Sequence, residues 1–236
     1  MTDLVQYTLH EGVATITMDD GKANVMGPEM QRQLNDALGR AQADQAVVVL
    51  GGREKIFCGG FDLGVFDQSG DALKQMLEGG ARLTQRLLSF PRPVLAACSG
   101  HAIAMGVFLL LAADARIGAE RDYRIHVNEV AIGMTLPRFA LEVGRQRLAP
   151  AHLHHAVVTA RAYAPREAVG AGFLDEVVPA DQLNAAVHER AQALADLDRT
   201  AFTGTKLRLR RPTLEALDAA IREDVSEWNR TFGRNP

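Results

Sequence analysis

The composition of this 236-residue chain is that of a globular protein, with 47% hydrophobic residues, 23% charged residues and a formal net charge of −3. Lysines and arginines are spread along the chain apart from residues 206–211, which argues against nucleic acid as a partner. The longest apolar run, residues 102–113, is too short to cross a bilayer, and neither a signal peptide nor metal-binding cysteine spacing is present, so we expect a soluble, cytoplasmic, metal-free protein.

Strands and helices alternate along the first half of the chain. Residues 6–19 alternate apolar and polar side chains on either side of Glu11 and Gly12, which predicts a β-hairpin. Pro28 then begins an amphipathic helical stripe, and a β-branched run follows it. The cycle continues with a helix in 71–90, a strand in 93–100, a buried helix in 105–114 and a strand in 115–120. This alternation predicts an α/β fold around parallel strands.

The pattern becomes mainly helical after about residue 138. Residues 181–197 and 213–228 have helical periodicity, and only 173–178 has the pattern of a strand. No Ser/Pro/Gly-rich linker precedes this part of the sequence. We therefore predict a core over residues 1–190 and a C-terminal helical region over 191–236 that packs on the same unit.

Two strand-to-helix junctions have the composition of ligand sites. The first contains Cys58, Gly59 and Gly60, where missing side chains would let a ligand approach the backbone. In the second, Met105 and Gly106 open an apolar helix whose first amides have no partner inside the helix. Each junction could offer an N–H group to an oxyanion, although either could equally be a simple turn.

An isolated acid, Glu129, follows in the apolar stretch RIHVNEVAIGMTLP, residues 124–137. Two backbone donors and one carboxylate are what proton transfer beside a carbonyl requires. Burial among apolar neighbours predicts a raised pKa for this acid, and the neighbours are Phe108, Val127, Val130, Ile132 and Leu136. The structural alternative is a helix cap or an ion pair with Arg124 or Arg138.

Three motifs together resemble the crotonase superfamily of enoyl-CoA hydratases and isomerases. They are FCGGFDL, SGHAIAMG followed by LLLAADARI, and NEVAIG followed by proline, and the resemblance covers about residues 5–210. It implies a crotonase (ClpP/crotonase) fold of repeated ββα units with a C-terminal helical subdomain. It also implies a homotrimer or homohexamer that acts on acyl-CoA thioesters, with coenzyme A as part of the substrate and no separate cofactor.

The resemblance implies roles for particular residues. The two oxyanion-hole amides fall on Phe61 and Met105, and Met105 stands where the family usually has glycine. Substrate contacts fall on Lys22, Val25, Cys58, Gly59, Gly60, Leu63, Gly106, Phe108, Asn128 and Leu136. The lysine that many relatives offer to the CoA phosphates is Gly64 here, so the charge would come from Lys22, Lys206, Arg208 or a neighbouring subunit.

Phe108 determines the reaction that we predict. Hydratases of the family use two glutamates to activate water, and Phe108 occupies the position of the first, while Glu129 retains the second. The pair Asn128-Glu129 resembles that of mitochondrial Δ3,Δ2-enoyl-CoA isomerases. We therefore predict an isomerase in which Glu129 is the catalytic acid and base. The alternatives are a hydratase acting with one glutamate and a catalytically weak acyl-CoA-binding protein.

Other candidate residues have an ordinary structural interpretation. His101 and His126 lie near the motifs, but single histidines near a core usually have satisfied hydrogen bonds. Cys58 lacks an evident base, which favours a core thiol over a nucleophile. Asp62 has the position of a cap for a short helix. The remaining histidines of interest are expected on a helix surface, at His152, His154 and His155.

Overall fold

The computed structural model describes residues 3–66 and 70–232. The strands within these ranges are β1 (Val5–His10), β2 (Val13–Met18), β3 (Val47–Gly51), β4 (Ile56–Cys58), β5 (Val94–Cys98), β6 (His101–Ile103), β7 (Ala115–Glu120), β8 (Ile125–His126) and β9 (Glu176–Pro179). The helices are α1 (Pro28–Ala43), α2 (Leu63–Phe66), α3 (Gly70–Ser89), α4 (Met105–Ala112), α5 (Arg138–Arg147), α6 (Pro150–Val157), α7 (Pro165–Ala171), α8 (Leu183–Ala195) and α9 (Arg199–Phe232).

The larger sheet has the strand order β1-β2-β3-β5-β7-β9. Strands β1 and β2 form the predicted antiparallel hairpin, and every later strand pairs in parallel. The hairpin turn places Glu11 at φ 48° and Gly12 at φ 76°, as the twist of a two-residue hairpin requires. The predicted α/β class with parallel strands is therefore confirmed.

A smaller sheet, β4-β6-β8, stands apart from the larger one and is parallel throughout. Its central strand, β6, was not predicted, although the buried helix that follows it begins at Met105 as expected. The residues of β6 pair with both neighbours, Ala102 with Cys58 on one side and with Ile125 on the other. Strands this short carry no alternation of their own, so only the tertiary pairing defines them.

The core lies between the larger sheet and its helices. Helix α4 is buried on every side, which explains its continuous apolar sequence, and α8 covers the opposite face of the sheet. Helix α9 packs along α3 and α5. Asp224 of α9 accepts hydrogen bonds from the N–H groups of Arg138 (3.0 Å) and Phe139 (2.9 Å), and thereby caps α5.

Helix α9 is longer than the predicted segment 213–228, since it begins at Arg199 and continues through Pro212. Local propensity alone predicts that the helix is interrupted at Pro212. Packing of α9 against α3 and α5 stabilises the helix on both sides of this proline. In the described part of the chain, no helix combines the length and apolarity that a membrane span needs.

Candidate active site

The smaller sheet brings the three predicted functional positions together. Phe61, Met105 and Glu129 each follow the end of one of its strands, β4, β6 and β8, by two or three residues. Parallel strands of one sheet end at the same edge, so these positions share that edge. The N–H of Ala104 donates to the carbonyl of His126 at 2.9 Å and ties the second junction to the strand that precedes Glu129.

The first two junctions pack backbone against backbone. A β-carbon at Gly60, where φ is +102°, would lie 3.0 Å from that of Ala104, and one at Gly106 would lie 2.3 Å from the carbonyl oxygen of Cys58. Glycine at these two positions is therefore required by close approach and, at Gly60, also by backbone conformation. The amides of Phe61 and Met105 consequently lie at adjoining junctions.

Both amides are available as donors. No hydrogen bond from the N–H of Phe61 or Met105 is found to any residue within 3–66 and 70–232. Met105 is the first residue of α4, where an amide has no partner inside the helix and the helix dipole favours an anion. The preceding Ala104 is held at φ 48° and ψ −120°, a conformation that costs roughly 1–3 kcal/mol and fixes the direction of the next amide.

Glu129 is buried beside this edge, with 8% of its surface exposed. It stands at the start of a 3₁₀ turn, Val130–Ile132, and its carbonyl accepts the N–H of Met134 at 2.9 Å. Its Oε2 atom is buried and has no hydrogen-bond partner among the described residues. Burial raises the pKa of Glu129 from 4.5 to about 7, as the sequence predicts.

The structural alternatives for Glu129 are not observed, and its side chain makes no capping hydrogen bond to the 3₁₀ turn that follows it. Arg124 pairs with Asp122 at 2.8 Å, and Arg138 pairs with Asp224 at 3.2 Å, so both arginines are engaged elsewhere. The carboxylate of Glu129 is not half of either predicted ion pair.

The predicted apolar surroundings of Glu129 are only partly right. Val127, Leu136 and Phe108 are buried, but Val130 and Ile132 are 45% and 54% exposed. The 3₁₀ turn directs these last two side chains towards the surface. The burial of the acid therefore depends on residues before and after the turn.

Phe108 and Asn128 complete the set predicted around the acid. Phe108 is buried and makes an edge-to-face contact with Phe139, with ring centroids 5.9 Å apart. Asn128 is half-buried, and its Oδ1 atom has no partner within the described ranges. Phe108, the position that the resemblance assigns to a hydratase glutamate, is thus part of a buried aromatic pair.

The loop with Lys22 and Val25 lies against the first junction. The N–H of Gly59 donates to the carbonyl of Ala23 at 2.8 Å, and the carbonyl of Gly60 accepts the N–H of Met26 at 2.7 Å. The N–H of Val25 itself donates to Asp20 at 3.0 Å. Leu63 comes shortly after the first junction and is 65% exposed, so its side chain is accessible to a ligand. The residues predicted to contact CoA are thus neighbours.

One predicted phosphate ligand is wrong. Lys206 is 6% exposed and its Nζ lies 2.7 Å from Asp114, so its charge is already paired inside the protein. Lys22 and Arg208 remain exposed. Sequence reasoning missed Arg53, whose Nη1 donates to the carbonyl of Lys22 at 3.0 Å and whose Nε lies 3.1 Å from Asp19. No local pattern could have paired these residues, because they lie 31 positions apart.

Cys58 and Asp62 have the structural roles predicted for them. Cys58 and Cys98 are buried, and burial raises the pKa of each thiol to about 12, which makes both poor nucleophiles. Asp62 accepts the N–H of Gly64 at 2.9 Å and caps α2.

The histidines also have structural environments. The Nδ1 atom of His101 accepts the N–H of Arg124 at 3.1 Å, and His126 donates to the carbonyl of Ala160 at 2.8 Å. His154 and His155 are exposed, whereas His152 is half-buried. Among the residues described here, no group of three potential ligands could hold a metal ion.

Comparison with known proteins supports the same fold. A model of the enoyl-CoA hydratase/isomerase family matches residues 8–235. A Thermus thermophilus protein provisionally named enoyl-CoA hydratase is 30% identical over 226 residues, which cover 90% of this chain and 84% of the relative. A probable enoyl-CoA hydratase of Rhodobacter capsulatus is 39% identical over 118 residues, or 49% of this chain and 46% of the relative, so the match spans about half of that protein.

Among solved structures, the apo form of an enoyl-CoA isomerase of Mycobacterium tuberculosis superposes with a TM-score of 0.92. Its sequence is 42% identical, and the superposition covers 96% of this chain and all of the other. Proteins similar to this chain are thus named for both hydration and isomerisation of enoyl-CoA thioesters.

Proposed function

The chain belongs to the enoyl-CoA hydratase/isomerase family, and from that premise we propose that it moves the double bond of a 3-enoyl-CoA thioester to position 2. One observation carries the proposal. In the described part of the chain the buried carboxylates are Glu129 and Asp224; Asp224 is committed to capping α5, and Glu129 has a free oxygen. A single available acid is sufficient for isomerisation.

The proposed reaction consists of two proton transfers, one from the substrate to Glu129 and one from Glu129 back to the substrate. The Glu129 carboxylate removes a proton from C2, and the electrons of that C–H bond delocalise into a dienolate with negative charge on the thioester oxygen. The N–H groups of Phe61 and Met105 stabilise this oxyanion. The neutral Glu129 then returns the proton to C4, which leaves the double bond between C2 and C3. No atom is gained or lost.

The electrostatics suit both halves of this cycle. A pKa of about 7 leaves Glu129 partly ionised near neutral pH, so the same group can act as base and then as acid. Each backbone donor contributes about 3 kcal/mol to transition-state stabilisation in comparable sites, and a positioned acid or base contributes roughly 10²- to 10⁴-fold.

Hydration of a 2-enoyl-CoA is the second candidate, since two of the relatives carry hydratase names. It would require Glu129 to activate water without a second carboxylate, because Phe108 is apolar and packed against Phe139. A catalytically weak acyl-CoA-binding protein is the third candidate, and it would use the loops around Gly59 and Lys22 without the acid.

The same proposal includes a cytoplasmic location, no cofactor beyond the coenzyme A of the substrate, no nucleic-acid partner, and assembly as a homotrimer or homohexamer. Membership of the family supports the assembly. Light scattering of the purified protein tests it, and a stable monomer would count against it.

The assay that decides between the reactions compares 3-hexenoyl-CoA and 2-hexenoyl-CoA with the wild type and Glu129→Gln. The isomerase proposal expects conjugated enoyl-thioester absorbance to appear from the 3-enoyl substrate in a Glu129-dependent manner, while the 2-enoyl substrate is not hydrated. Loss of 2-enoyl absorbance would establish hydration instead. Binding of both thioesters without turnover would favour the acyl-CoA-binding protein.

A further inference from the structure

The side chains of the two residues with free amides meet at one glycine of α3. A β-carbon at Gly80 would lie 2.5 Å from Cε1 of the Phe61 ring and 3.3 Å from Sδ of Met105. Phe66 extends the same apolar surface, with its ring centroid 6.5 Å from that of Phe61. Phe61 is half-buried, whereas Met105 is fully buried, so the Phe61 ring is the outer part of this wall.

Glycine at position 80 destabilises helix α3 unless the absence of a side chain there makes room for another group. Glycine is the weakest helix former after proline, yet α3 has two in succession. At both positions another side chain fills the space of the absent β-carbon, Gln31 at Gly79 and Phe61 at Gly80. The Phe61 ring therefore lies against the backbone of α3, in space that the β-carbon of an alanine at position 80 would occupy.

We propose that the Phe61 ring, seated on Gly80, limits the length of the acyl chain that the site accepts and makes it prefer short acyl-CoA thioesters. This inference rests on the proposed function in taking an acyl-CoA thioester as the ligand and the two amides as the contacts of its thioester oxygen. The amides of Phe61 and Met105 hold the thioester oxygen, so the first acyl carbons lie within reach of both side chains. A ring at that point occupies volume that a longer chain would need.

Gly80 gives an indirect means of moving the ring. Non-bonded carbon atoms separate to about 3.5–4.0 Å, so an alanine at Gly80 must push the ring tip outwards by about 1 Å. The ring is the end of a flexible side chain and yields more readily than the helix backbone. It can move only away from α3, and on this proposal that shift brings it further into the path of the acyl chain.

The test is the affinity of a saturated series, butanoyl- to decanoyl-CoA, measured by calorimetry for the wild type, Phe61→Ala, Gly80→Ala and the double variant. Phe61→Ala should bind decanoyl-CoA about tenfold more tightly relative to butanoyl-CoA than the wild type does. Gly80→Ala should weaken the longer thioesters several-fold, and this loss should vanish in the double variant. Gly170→Ala, a helical glycine with open space around it, is the matched control and should bind like the wild type.

Saturated thioesters separate this inference from the proposed reaction, because no double bond has to move. A wild type that binds none of them would contradict the proposed function. Normal binding with the same chain-length profile in Phe61→Ala would overturn the role of the ring alone. A Gly80→Ala effect that persists without the ring would likewise overturn it. If Gly80→Ala does not fold, as judged by circular dichroism, the Phe61→Ala profile decides.

Discussion

Replacing Glu129 by glutamine is expected to make the folded protein more stable at alkaline pH while it removes the proposed activity. Folding raises the pKa of this carboxyl from 4.5 to about 7 because burial disfavours the charged form. One pKa unit corresponds to about 1.4 kcal/mol, so this pKa difference changes the free energy of unfolding by roughly 3 kcal/mol.

The sign follows from which state binds the proton more tightly. The folded protein holds the Glu129 proton more tightly than the unfolded chain, so the associated stability is fully present below pH 4.5. It is lost as the pH rises through about 7. Glutamine does not titrate, and its buried amide changes the free energy of unfolding by an amount independent of pH. The stability difference between variant and wild type should therefore grow by about 3 kcal/mol from pH 4.5 to pH 8.

Urea unfolding at several pH values measures this difference, at one protein concentration so that assembly does not contribute. The single tryptophan, Trp228, is buried in α9 and serves as the fluorescence probe. Glu189→Gln, at an exposed position of α8, is the matched control. A difference between Glu129→Gln and the wild type that stays constant from pH 4.5 to pH 8 would refute the burial argument and, with it, the assignment of Glu129 as a tuned base.

Three further outcomes are expected. The rate constant kcat/KM for a 3-enoyl-CoA should fall on acidification with a midpoint near pH 7, where Glu129 gains its proton, and a pH-rate profile flat from pH 5 to 8 would contradict this. Gly106→Ala places a β-carbon 2.3 Å from the carbonyl oxygen of Cys58, so both turnover and the melting temperature should drop; unchanged kinetics would mean that the junctions do not position the amides. Lys206→Met leaves Asp114 paired with Arg210 alone, at 3.0 Å, and should lower the free energy of unfolding by about 2 kcal/mol while CoA affinity is unaffected; a selective loss of CoA affinity would restore Lys206 as a phosphate ligand.

The long elements could be predicted because their patterns are strong. Helix α4 is apolar throughout because every side of it is buried, and the turn at Glu11 and Gly12 has the chemistry of a hairpin. Strands β6 and β8 could not be predicted in the same way. They contain three residues and two residues, and pairing with β4 and with each other defines them. A periodic pattern needs more residues than these strands have.

Positions in the candidate site were predictable to the extent that the backbone sets them. Gly60 and Gly106 mark close approaches that are visible as glycines in the sequence. The exposure of Ile132 and the burial of Lys206 depend on packing between distant segments, and both were predicted wrongly. Arg53 escaped notice for the same reason, since only the fold sets it against the loop that contains Lys22.

Two of the three groups assigned to the chemistry belong to the peptide backbone. Every amino acid except proline supplies the N–H that Phe61 and Met105 contribute, so mutation at these positions can reshape the cavity without deleting a donor. Glu129 has no such protection, because a single codon change can remove its carboxylate. Loss of Glu129 would therefore leave both backbone donors in place, and thioester binding would outlast the proton transfer. Substitutions at positions 61 and 105 would change ligand specificity and retain the two N–H groups.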